Sequence, residues 1–417
     1  MMRMIGLAAA LALIPGGAWA QSCAWQPAWA SAQMVPGGDN RLAPGALDDA
    51  SLRQVARVST GGQRVRVRIS NAFGTKPLDV RGASIARPVR NDGHAVKAAS
   101  LMPLRFAGEP GTRVPAGADW LSDPVPMPLA AFDDVAVTLH VAGEPGEQTS
   151  HPGSRATSWL AKGDATAATT LTDAQATEHW FLLSGIEVEA CPARGAVVVL
   201  GDSITDGRGS TTNGNDRWTD ALARRLQGDP RTRGMSVLNQ GIGGNNILVD
   251  GLGPSAMARL DRDVLALPRV TDLIVLEGVN DLGGLSRTEG ATPADHRAML
   301  HRLTAAFSQM IERAHAHGIR IHGATIMPFG ASDYYHATPE VEATRRAINA
   351  WIRTPGRFDS VIDMDRATAD PARPDRLDKR YDVGDGLHTS PAGFRRMAEA
   401  VAIEALAAPV AGRITGP

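Results

Sequence analysis

The chain lacks an excess of charge of either sign, and it lacks a long hydrophobic run beyond its N-terminus. The formal net charge is −1, so no field of one sign exists to attract nucleic acid or an anionic membrane surface. After residue 20, no segment approaches the run of about eighteen apolar residues that indicates a membrane-spanning helix. What remains is 43% hydrophobic and 21% charged residues over 417 positions, a composition typical of a globular protein with two or three domains.

The segment 1–20, "MMRMIGLAAALALIPGGAWA", has the pattern of a cleavable signal peptide. Arg3 supplies a positive charge, residues 5–13 are apolar, and residues 18–20 form a small-x-small cleavage site. The apolar stretch is too short to span a bilayer. We therefore expect cleavage after Ala20 and a mature protein that is secreted or periplasmic.

The only two cysteines are Cys23 and Cys191, and export would place them in an oxidising compartment. A disulfide between them would close a long loop, which the chain-entropy model values at roughly 5 kcal/mol as an upper figure. Two free thiols are the alternative. A lipid anchor on Cys23 is disfavoured, because Ala20 occupies the position where a lipoprotein signal has leucine.

Residues 21–193 have a hydrophobic period of two, which predicts β-strands. In "QRVRVRIS", Val65, Val67 and Ile69 alternate with arginines, and "DVAVTLHVAG" has a similar alternation of apolar residues. The run "FLLSGIEVEA" is typical of a closing strand, and turn signals such as "VPGGDN" and "GEPGT" separate the runs. We predict an all-β sandwich domain for this half of the chain.

Residues 194–417 have a different pattern, in which short apolar runs alternate with helical stretches. "AVVVL" precedes "DRWTDALARRL", "DLIVLEG" precedes a long helical stretch, and "FDSVIDMD" precedes a final helical segment that begins at "SPAGF". This alternation predicts an α/β domain, with a parallel sheet covered by helices on both faces. In such sheets the ligand-binding and catalytic residues lie at the carboxyl ends of the strands.

Four polar loops between predicted strands and helices can converge on that edge. "VVVLGDSITDG" places Ser203 directly after a buried strand, and the others are "NQGIGGNN", "EGVNDLGG" and "DVGDGLHTSPAGF". A serine hydroxyl needs a base in order to attack at neutral pH, and His388 can supply it, with Asp385 orienting the imidazole. Asn280 and the glycine-rich loop can donate hydrogen bonds to the oxyanion of an attacked carbonyl. These residue types predict acyl transfer.

The blocks "GDSITDG", "NQGIGGN", "GVND" and "DGLH" occur in this order and resemble the conserved blocks of the GDSL, or SGNH, hydrolase superfamily. The resemblance implies a three-layer α/β/α, flavodoxin-like domain with Ser203 as nucleophile and with Asp385 and His388 completing a triad. It also implies an oxyanion hole formed by the backbone N–H groups of Ser203 and Gly244 and by the side chain of Asn280.

The first half of the chain carries a resemblance of its own. "LRQVARVSTGGQRVRVRISNAFGTKPLDV" and "PAGADWLSDPV" are similar to secreted bacterial members with a β domain before the hydrolase, including arylesterase/acylhydrolases associated with xylan breakdown. This resemblance implies a serine esterase that removes short acyl groups, chiefly acetyl, from carbohydrate through an acyl-enzyme. The expected partner is an ester substrate, with no metal or organic cofactor and no nucleic acid. A lipase or broad arylesterase for longer acyl chains, an acyltransferase, and an inert carbohydrate-binding protein remain alternatives.

Several of these residues also have purely structural interpretations. Ser203 can cap the following helix, and Asp385 can be a turn residue. Gly241 is the alternative to Gly244 as the oxyanion glycine, because the loop contains three glycines. The tryptophans of the β half can form a sugar platform or fill a core. Five histidines lie on or beside one long helical stretch without the i, i+4 pair of a helical zinc site.

Overall fold

The computed structural model describes residues 23–408, with antiparallel strands in the first half and a parallel sheet in the second. Two short 3₁₀ helices, Gly38–Asn40 and Ala98–Ser100, lie in the first half. The strands of that half are β1 (Ala24–Ala30), β2 (Ala50–Arg57), β3 (Val65–Ser70), β4 (Leu78–Ala86), β5 (Met102–Pro103), β6 (Thr112–Val114), β7 (Asp119–Leu121), β8 (Asp134–Val141), β9 (Ser150–His151), β10 (Ser158–Lys162), β11 (Gln175–Thr177), β12 (Trp180–Phe181) and β13 (Leu183–Ala190).

Most of these strands form two antiparallel sheets that share one hydrophobic core, and β9 pairs with β12 in a separate two-stranded sheet. One sheet has the order β1-β13-β3-β7, and the other has the order β11-β10-β2-β8-β4-β5, with β6 also paired to β4. Val65 and Val67 of β3 are buried in the shared core, whereas Arg66 and Arg68 lie on the opposite face and both pair with Glu187. The predicted sandwich is confirmed, and the period-two pattern arises because one face of each strand is buried.

The second half contains a five-stranded parallel sheet with the order β15-β14-β16-β17-β18. This is the 2-1-3-4-5 strand order of flavodoxin-like folds. In these folds the order in which successive strands are added to the sheet reverses beside the first strand. The strands are β14 (Ala196–Gly201), β15 (Ser236–Gly241), β16 (Val270–Leu276), β17 (Arg320–Ala324) and β18 (Ser360–Ile362); β19 (Ala369–Asp370) and β20 (Arg373–Leu377) form a separate antiparallel hairpin.

Helices surround this sheet in two groups. Helices α2, α7 and α8 pack against one another, and α3 to α6 form the second group, so that the predicted three layers are confirmed. A single π-helical segment, Asp261–Leu265, continues α3. The helices are α1 (Ser203–Asp206), α2 (Trp218–Gly228), α3 (Ala256–Leu260), α4 (Val279–Ser286), α5 (Pro293–Ala316), α6 (Pro339–Ile352), α7 (Met364–Thr368), α8 (Pro391–Glu399) and α9 (Ile403–Ala407).

The final helical segment is interrupted rather than continuous. Helix α8 ends at Glu399, and α9 begins only at Ile403. The guanidinium group of Arg225, from α2, donates to the carbonyl oxygens of Ala398 and Val401. Because these carbonyls are satisfied by a neighbouring helix, the chain can leave the helical conformation there without losing hydrogen bonds.

A disulfide joins Cys23 to Cys191, the pairing expected from the sequence. The two cysteines are adjacent because β1 and β13 are paired, with Ala24 opposite Ala190. The signal peptide predicted for residues 1–20 lies outside the described residues, and the domain limits at 193 and 194 remain a prediction. Across residues 23–408, no helix has both the length and the apolar character needed to cross a bilayer.

Candidate active site

Ser203 lies at the turn between β14 and α1, at the carboxyl edge of the parallel sheet. The strand ends at Gly201, where a Cβ atom would come within 2.2 Å of the Thr205 hydroxyl, so only glycine fits there. Asp202 caps α1, since its Oδ1 accepts the backbone N–H of Ile204 at 2.9 Å. The cap is thus Asp202, and the Ser203 hydroxyl is left for another partner.

Ser203, His388 and Asp385 form one hydrogen-bonded series. The Ser203 Oγ lies 2.9 Å from Nε2 of His388, and Nδ1 of His388 lies 2.6 Å from Oδ2 of Asp385. The second carboxylate oxygen of Asp385 accepts the backbone N–H groups of Leu387 at 3.0 Å and of His388 at 2.8 Å. The turn that carries His388 therefore also holds its carboxylate partner. Because that carboxylate accepts from Nδ1, Nε2 is the nitrogen that can receive a proton from Ser203.

The electrostatic surroundings favour a neutral imidazole beside a charged carboxylate. Burial lowers the pKa of His388, and the positive charges of Arg208 and Arg155 lower it further, against the opposing effect of Asp385. At Asp385 burial acts to raise the pKa, but the hydrogen bonds from His388 outweigh it and hold the pKa below its ordinary range. The imidazole is therefore unprotonated near neutral pH, and the carboxylate can stabilise the imidazolium that forms on proton transfer.

The two candidate oxyanion glycines lie at the end of β15 and in the loop that follows it, and their surroundings differ. The N–H of Gly241 donates to Oδ1 of Asn239 at 2.9 Å, and a Cβ atom on Gly241 would lie 2.2 Å from the backbone nitrogen of Asp206. Gly244 has φ +68°, a left-handed conformation that favours glycine. Among residues 23–408, the N–H of Gly244 has no hydrogen-bond partner. Gly241 is thus a packing residue, whereas the N–H of Gly244 is free to donate.

Asn280 lies in the first turn of α4, and its amide is held at both ends. Nδ2 donates to the backbone carbonyl of Asn245 at 2.6 Å, and Oδ1 accepts the hydroxyl of Tyr335. The carboxylate of Asp281 accepts the backbone N–H groups of residues 247–248. These bonds attach α4 to the loop that contains Gly244.

A buried arginine that the sequence did not point to connects the loops behind the site. The Arg259 guanidinium donates to the carbonyls of Gly201 at 3.0 Å and Gln240 at 2.6 Å, and to Oδ1 of Asn245 at 2.7 Å. Its acceptors are the ends of β14 and β15 and the loop after β15. One side chain therefore sets the relative positions of the nucleophile turn and the glycine loop.

Two further carboxyl groups near this arginine, those of Asp202 and Glu277, are buried as well. Burial raises the pKa of Asp202 to about 7, and it raises the pKa of Glu277 well above its ordinary range. Glu277 also accepts a hydrogen bond from Arg259 at 3.4 Å. Both acidic groups are thus shifted toward their neutral forms, which limits the negative charge enclosed behind Ser203.

The antiparallel half of the chain also reaches the site. His151 of β9 contacts the Asp206 carboxylate at the end of the nucleophile helix, and Arg155 has φ +48° in the segment that follows β9. The guanidinium groups of Arg155 and Arg208 both lower the pKa of His388. Sequence reasoning missed His151 and Arg155, since nothing in the local sequence distinguishes them from other polar residues of the β half.

The histidines near α5 are engaged in separate pairs. His296 bonds to Thr344 at 2.9 Å, His315 bonds to Asp359 at 2.9 Å, and the side chain of His322 on β17 bonds to Asp272 at 2.8 Å. In the described part of the chain, no three His, Cys, Asp or Glu side chains are grouped so that they could hold a metal ion.

Residues 199–396 match the model of the GDSL-like lipase/acylhydrolase family. No curated protein matches the chain. Among solved structures, a carbohydrate acetylesterase from Sinorhizobium meliloti is 16% identical, with 51% of this chain and 99% of that chain covered and a TM-score of 0.36. An acetyl xylan esterase from Geobacillus stearothermophilus is 19% identical, with coverages of 50% and 93% and a TM-score of 0.36. A GDSL-like lipase from Bacteroides thetaiotaomicron is 16% identical, with coverages of 51% and 87% and a TM-score of 0.37.

The fold and the family match together define the protein as a hydrolase that acts on esters. Residues 199–396, which include the Ser203 turn and His388, form a GDSL-like lipase/acylhydrolase domain of the GDSL/SGNH superfamily.

Proposed function

We propose that the protein is a serine esterase that hydrolyses carboxylic esters through an acyl-enzyme, with Ser203 as nucleophile, His388 as general base and Asp385 as its orienting partner. The observation that carries this proposal is the continuous hydrogen-bonded series, 2.9 Å from Ser203 to His388 and 2.6 Å from His388 to Asp385. An inert binding protein would not need a buried, neutral imidazole in contact with a serine hydroxyl, so the series favours turnover.

In the acylation step, Oγ of Ser203 bonds to the ester carbonyl carbon while its proton moves to Nε2 of His388. The tetrahedral intermediate then collapses, the bond to the alkoxy oxygen breaks, and His388 returns the proton to the departing alcohol. In deacylation, His388 takes a proton from water as the water oxygen bonds to the acyl carbon. The bond between that carbon and Oγ of Ser203 then breaks, the carboxylic acid leaves, and His388 returns the proton to Oγ. Asp385 stabilises the imidazolium at both stages without taking its proton.

The oxyanion formed in these steps needs donors that are already in place. We assign the backbone N–H of Ser203, the backbone N–H of Gly244 and the side-chain amide of Asn280. The unpartnered N–H of Gly244 supports its choice over Gly241, whose N–H is already donated to Asn239. One amide hydrogen of Asn280 is donated to Asn245, which leaves the second for the oxyanion.

The substrate that we propose is a short acyl ester, chiefly acetyl, on a carbohydrate. In support, the Leu252 side chain lies directly against Gly244, since a Cβ atom on that glycine would be 3.1 Å from the Leu252 Cδ1. A leucine in this position restricts the space beside the oxyanion donors, which favours a small acyl group. Esters of polysaccharides would reach such a site more easily if the enzyme is exported, and the Cys23–Cys191 disulfide supports export.

A lipase or broad arylesterase is the second candidate, and exposed apolar side chains near the site favour it. Val249, on the loop with Gly244, is 53% exposed, and Val383, whose N–H donates to the carbonyl of His388, is 44% exposed. An apolar rim of this kind can contact a longer acyl chain or an aromatic alcohol.

The deciding experiment compares hydrolysis of p-nitrophenyl acetate and p-nitrophenyl octanoate by the wild type, Ser203→Ala and Ser210→Ala. Ser210 is the matched control, because its hydroxyl only donates to the Gly207 carbonyl in the same loop. We expect acetate turnover to be lost in Ser203→Ala and kept in Ser210→Ala. Activity that survives in Ser203→Ala would refute the assigned nucleophile, and a preference for octanoate would support the second candidate. If neither ester is hydrolysed, acetate release from acetylated xylan separates a narrow esterase from an inert binding protein.

A further inference from the structure

We propose that Tyr335 is a positioning residue of the oxyanion hole, whose hydroxyl holds the Asn280 amide with its nitrogen directed at the developing charge. This inference rests on the proposed function, in which Asn280 is one of three oxyanion donors. Tyr335 lies between β17 and α6, and it is separated from Asn280 by 55 positions in the sequence.

The two neighbours of the Asn280 amide allow only one orientation of that amide. The Asn245 carbonyl oxygen can only accept, so the atom that faces it at 2.6 Å must be Nδ2. Oδ1 then faces Tyr335, which must donate its hydroxyl proton. If the amide turned over, its oxygen would face the Asn245 carbonyl, and an acceptor would replace the donor required by the oxyanion.

The Tyr335 ring is itself fixed on the helix that carries Asn280. A Cβ atom on Gly283 of α4 would lie 2.2 Å from the ring, so the ring packs directly on that glycine. The carbonyl of Tyr335 accepts from the Ser286 hydroxyl at 2.6 Å, and its ring meets Phe329 edge-on with centroids 6.0 Å apart. A residue held at its backbone and its ring can present its hydroxyl at a constant position.

The phenol also keeps its proton over the working range of an esterase. Burial raises the pKa of Tyr335. The hydroxyl is therefore a permanent donor toward Asn280, and it does not compete for the amide hydrogens. Since Tyr335 contacts Asn280 and has no assigned contact with substrate, its loss should act on the transition state rather than on substrate binding.

The test is Tyr335→Phe, which removes only the hydroxyl and keeps the ring against Gly283. Tyr334→Phe is the matched control, because Tyr334 is the adjacent tyrosine, is exposed, and within residues 23–408 its hydroxyl has no hydrogen-bond partner. We expect kcat for p-nitrophenyl acetate to fall about tenfold or more in Tyr335→Phe, within the 10²–10³-fold effect of losing a whole oxyanion donor. KM should change less than about twofold, and Tyr334→Phe should match the wild type in both constants.

A double variant separates positioning from a general structural effect. If Tyr335 acts only through Asn280, then Tyr335→Phe should cause no further loss of kcat in an Asn280→Ala background. An additive loss would overturn the proposal, as would wild-type kcat in Tyr335→Phe alone.

A second pair of variants tests the same idea by displacing the ring. Gly283→Ala should lower kcat as Tyr335→Phe does, because its methyl group occupies the place of the ring, whereas Gly284→Ala has no atom within 4 Å of the new methyl and should not. Melting temperatures identify any variant that fails to fold. Wild-type activity in a folded Gly283→Ala would count against the proposal. Failure of the proposed function is distinguishable, since Ser203→Ala would then retain the wild-type rate whatever Tyr335→Phe does.

Discussion

His151 lies 3.0 Å, from Nε2 to Oδ1, from the carboxylate of Asp206, and both side chains are buried. The other ring nitrogen of His151 donates to the carbonyl of Ala32 at 2.7 Å, and the ring stacks on Trp180 with centroids 5.7 Å apart. Asp206 ends the short helix that Ser203 begins. One polar pair thus ties the antiparallel half of the chain to the nucleophile helix, which gives the β-sandwich a part in positioning the site.

Replacing this histidine should destabilise the protein strongly. His151→Phe keeps a ring against Trp180 but leaves the Asp206 carboxylate buried without its partner. We expect the free energy of unfolding to fall by about 1–3 kcal/mol, the usual cost of leaving a buried polar group without its hydrogen-bond partner. Chemical denaturation measures the change, with Glu404→Gln as control, because its pair with Arg231 is exposed and should leave the midpoint unchanged. An unaltered midpoint in His151→Phe would show that the pair does not stabilise the fold.

The site residues that can be identified from the sequence are those whose role depends on their close neighbours in the sequence. Ser203 follows an apolar strand, and His388 and Asp385 lie three positions apart in one turn, so their chemistry can be inferred without knowing the packing. The positions of His151 and Tyr335 could not be inferred in this way. Each of them meets a partner 55 positions away, and the meeting depends on how separate segments pack.

The helix break after Glu399 has a similar cause. The sequence from "SPAGF" onward has continuous helical character, yet the guanidinium group of Arg225 binds the carbonyl of Ala398 in the last turn of α8 and that of Val401 within the break. The helix propensities of the residues in this segment contain no information about Arg225, which lies on another helix. A prediction from the sequence therefore extends the helix beyond Glu399.

Alanine substitution should separate the two candidate oxyanion glycines. In Gly241→Ala the new methyl group would meet the backbone nitrogen of Asp206 at 2.2 Å, which neither segment can relieve without moving a strand or a helix. We expect a loss of about 1–3 kcal/mol or more from overpacking. In Gly244→Ala the strain of φ +68° costs about 1–2 kcal/mol, and the new methyl meets only a leucine side chain.

The effect on kcat should be specific to Gly244→Ala, although Gly241→Ala is expected to lose more stability. If the Gly244 N–H is an oxyanion donor, its displacement should lower kcat by at least about tenfold, toward the 10²–10³-fold limit for one lost donor. Gly284→Ala, on an exposed helical position, is the control and should gain up to about 1 kcal/mol without a change in kcat. Steady-state rates below the melting temperature test this, and wild-type kcat in Gly244→Ala would refute the assignment.

The pH dependence of kcat/KM should follow the protonation of His388. The imidazole must be unprotonated to act as base, and burial lowers its pKa from the ordinary value of 6.5, so the acid limb of the profile should lie below that value. Arg208 lowers the same pKa through its charge. Removing that charge in Arg208→Gln should raise the pKa and move the acid limb to higher pH. Arg113→Gln, which removes a charge on β6, is the control and should leave the limb in place. A shift to lower pH in Arg208→Gln would contradict the sign of this interaction.

Loss of the disulfide should lower stability without changing the chemistry. Cys23 and Cys191 are 168 positions apart, and in the chain-entropy model closing so long a loop contributes about 5 kcal/mol as an upper figure. We expect Cys23→Ala/Cys191→Ala to unfold at a clearly lower denaturant concentration than the oxidised wild type, and to keep wild-type kcat where both are folded.

Dithiothreitol should bring the unfolding midpoint of the wild type to that of the double variant and should leave the double variant itself unaffected. If oxidised wild type and double variant share one midpoint, the bond does not stabilise the native sandwich, and the pairing of β1 with β13 must suffice to hold the start of the chain in place.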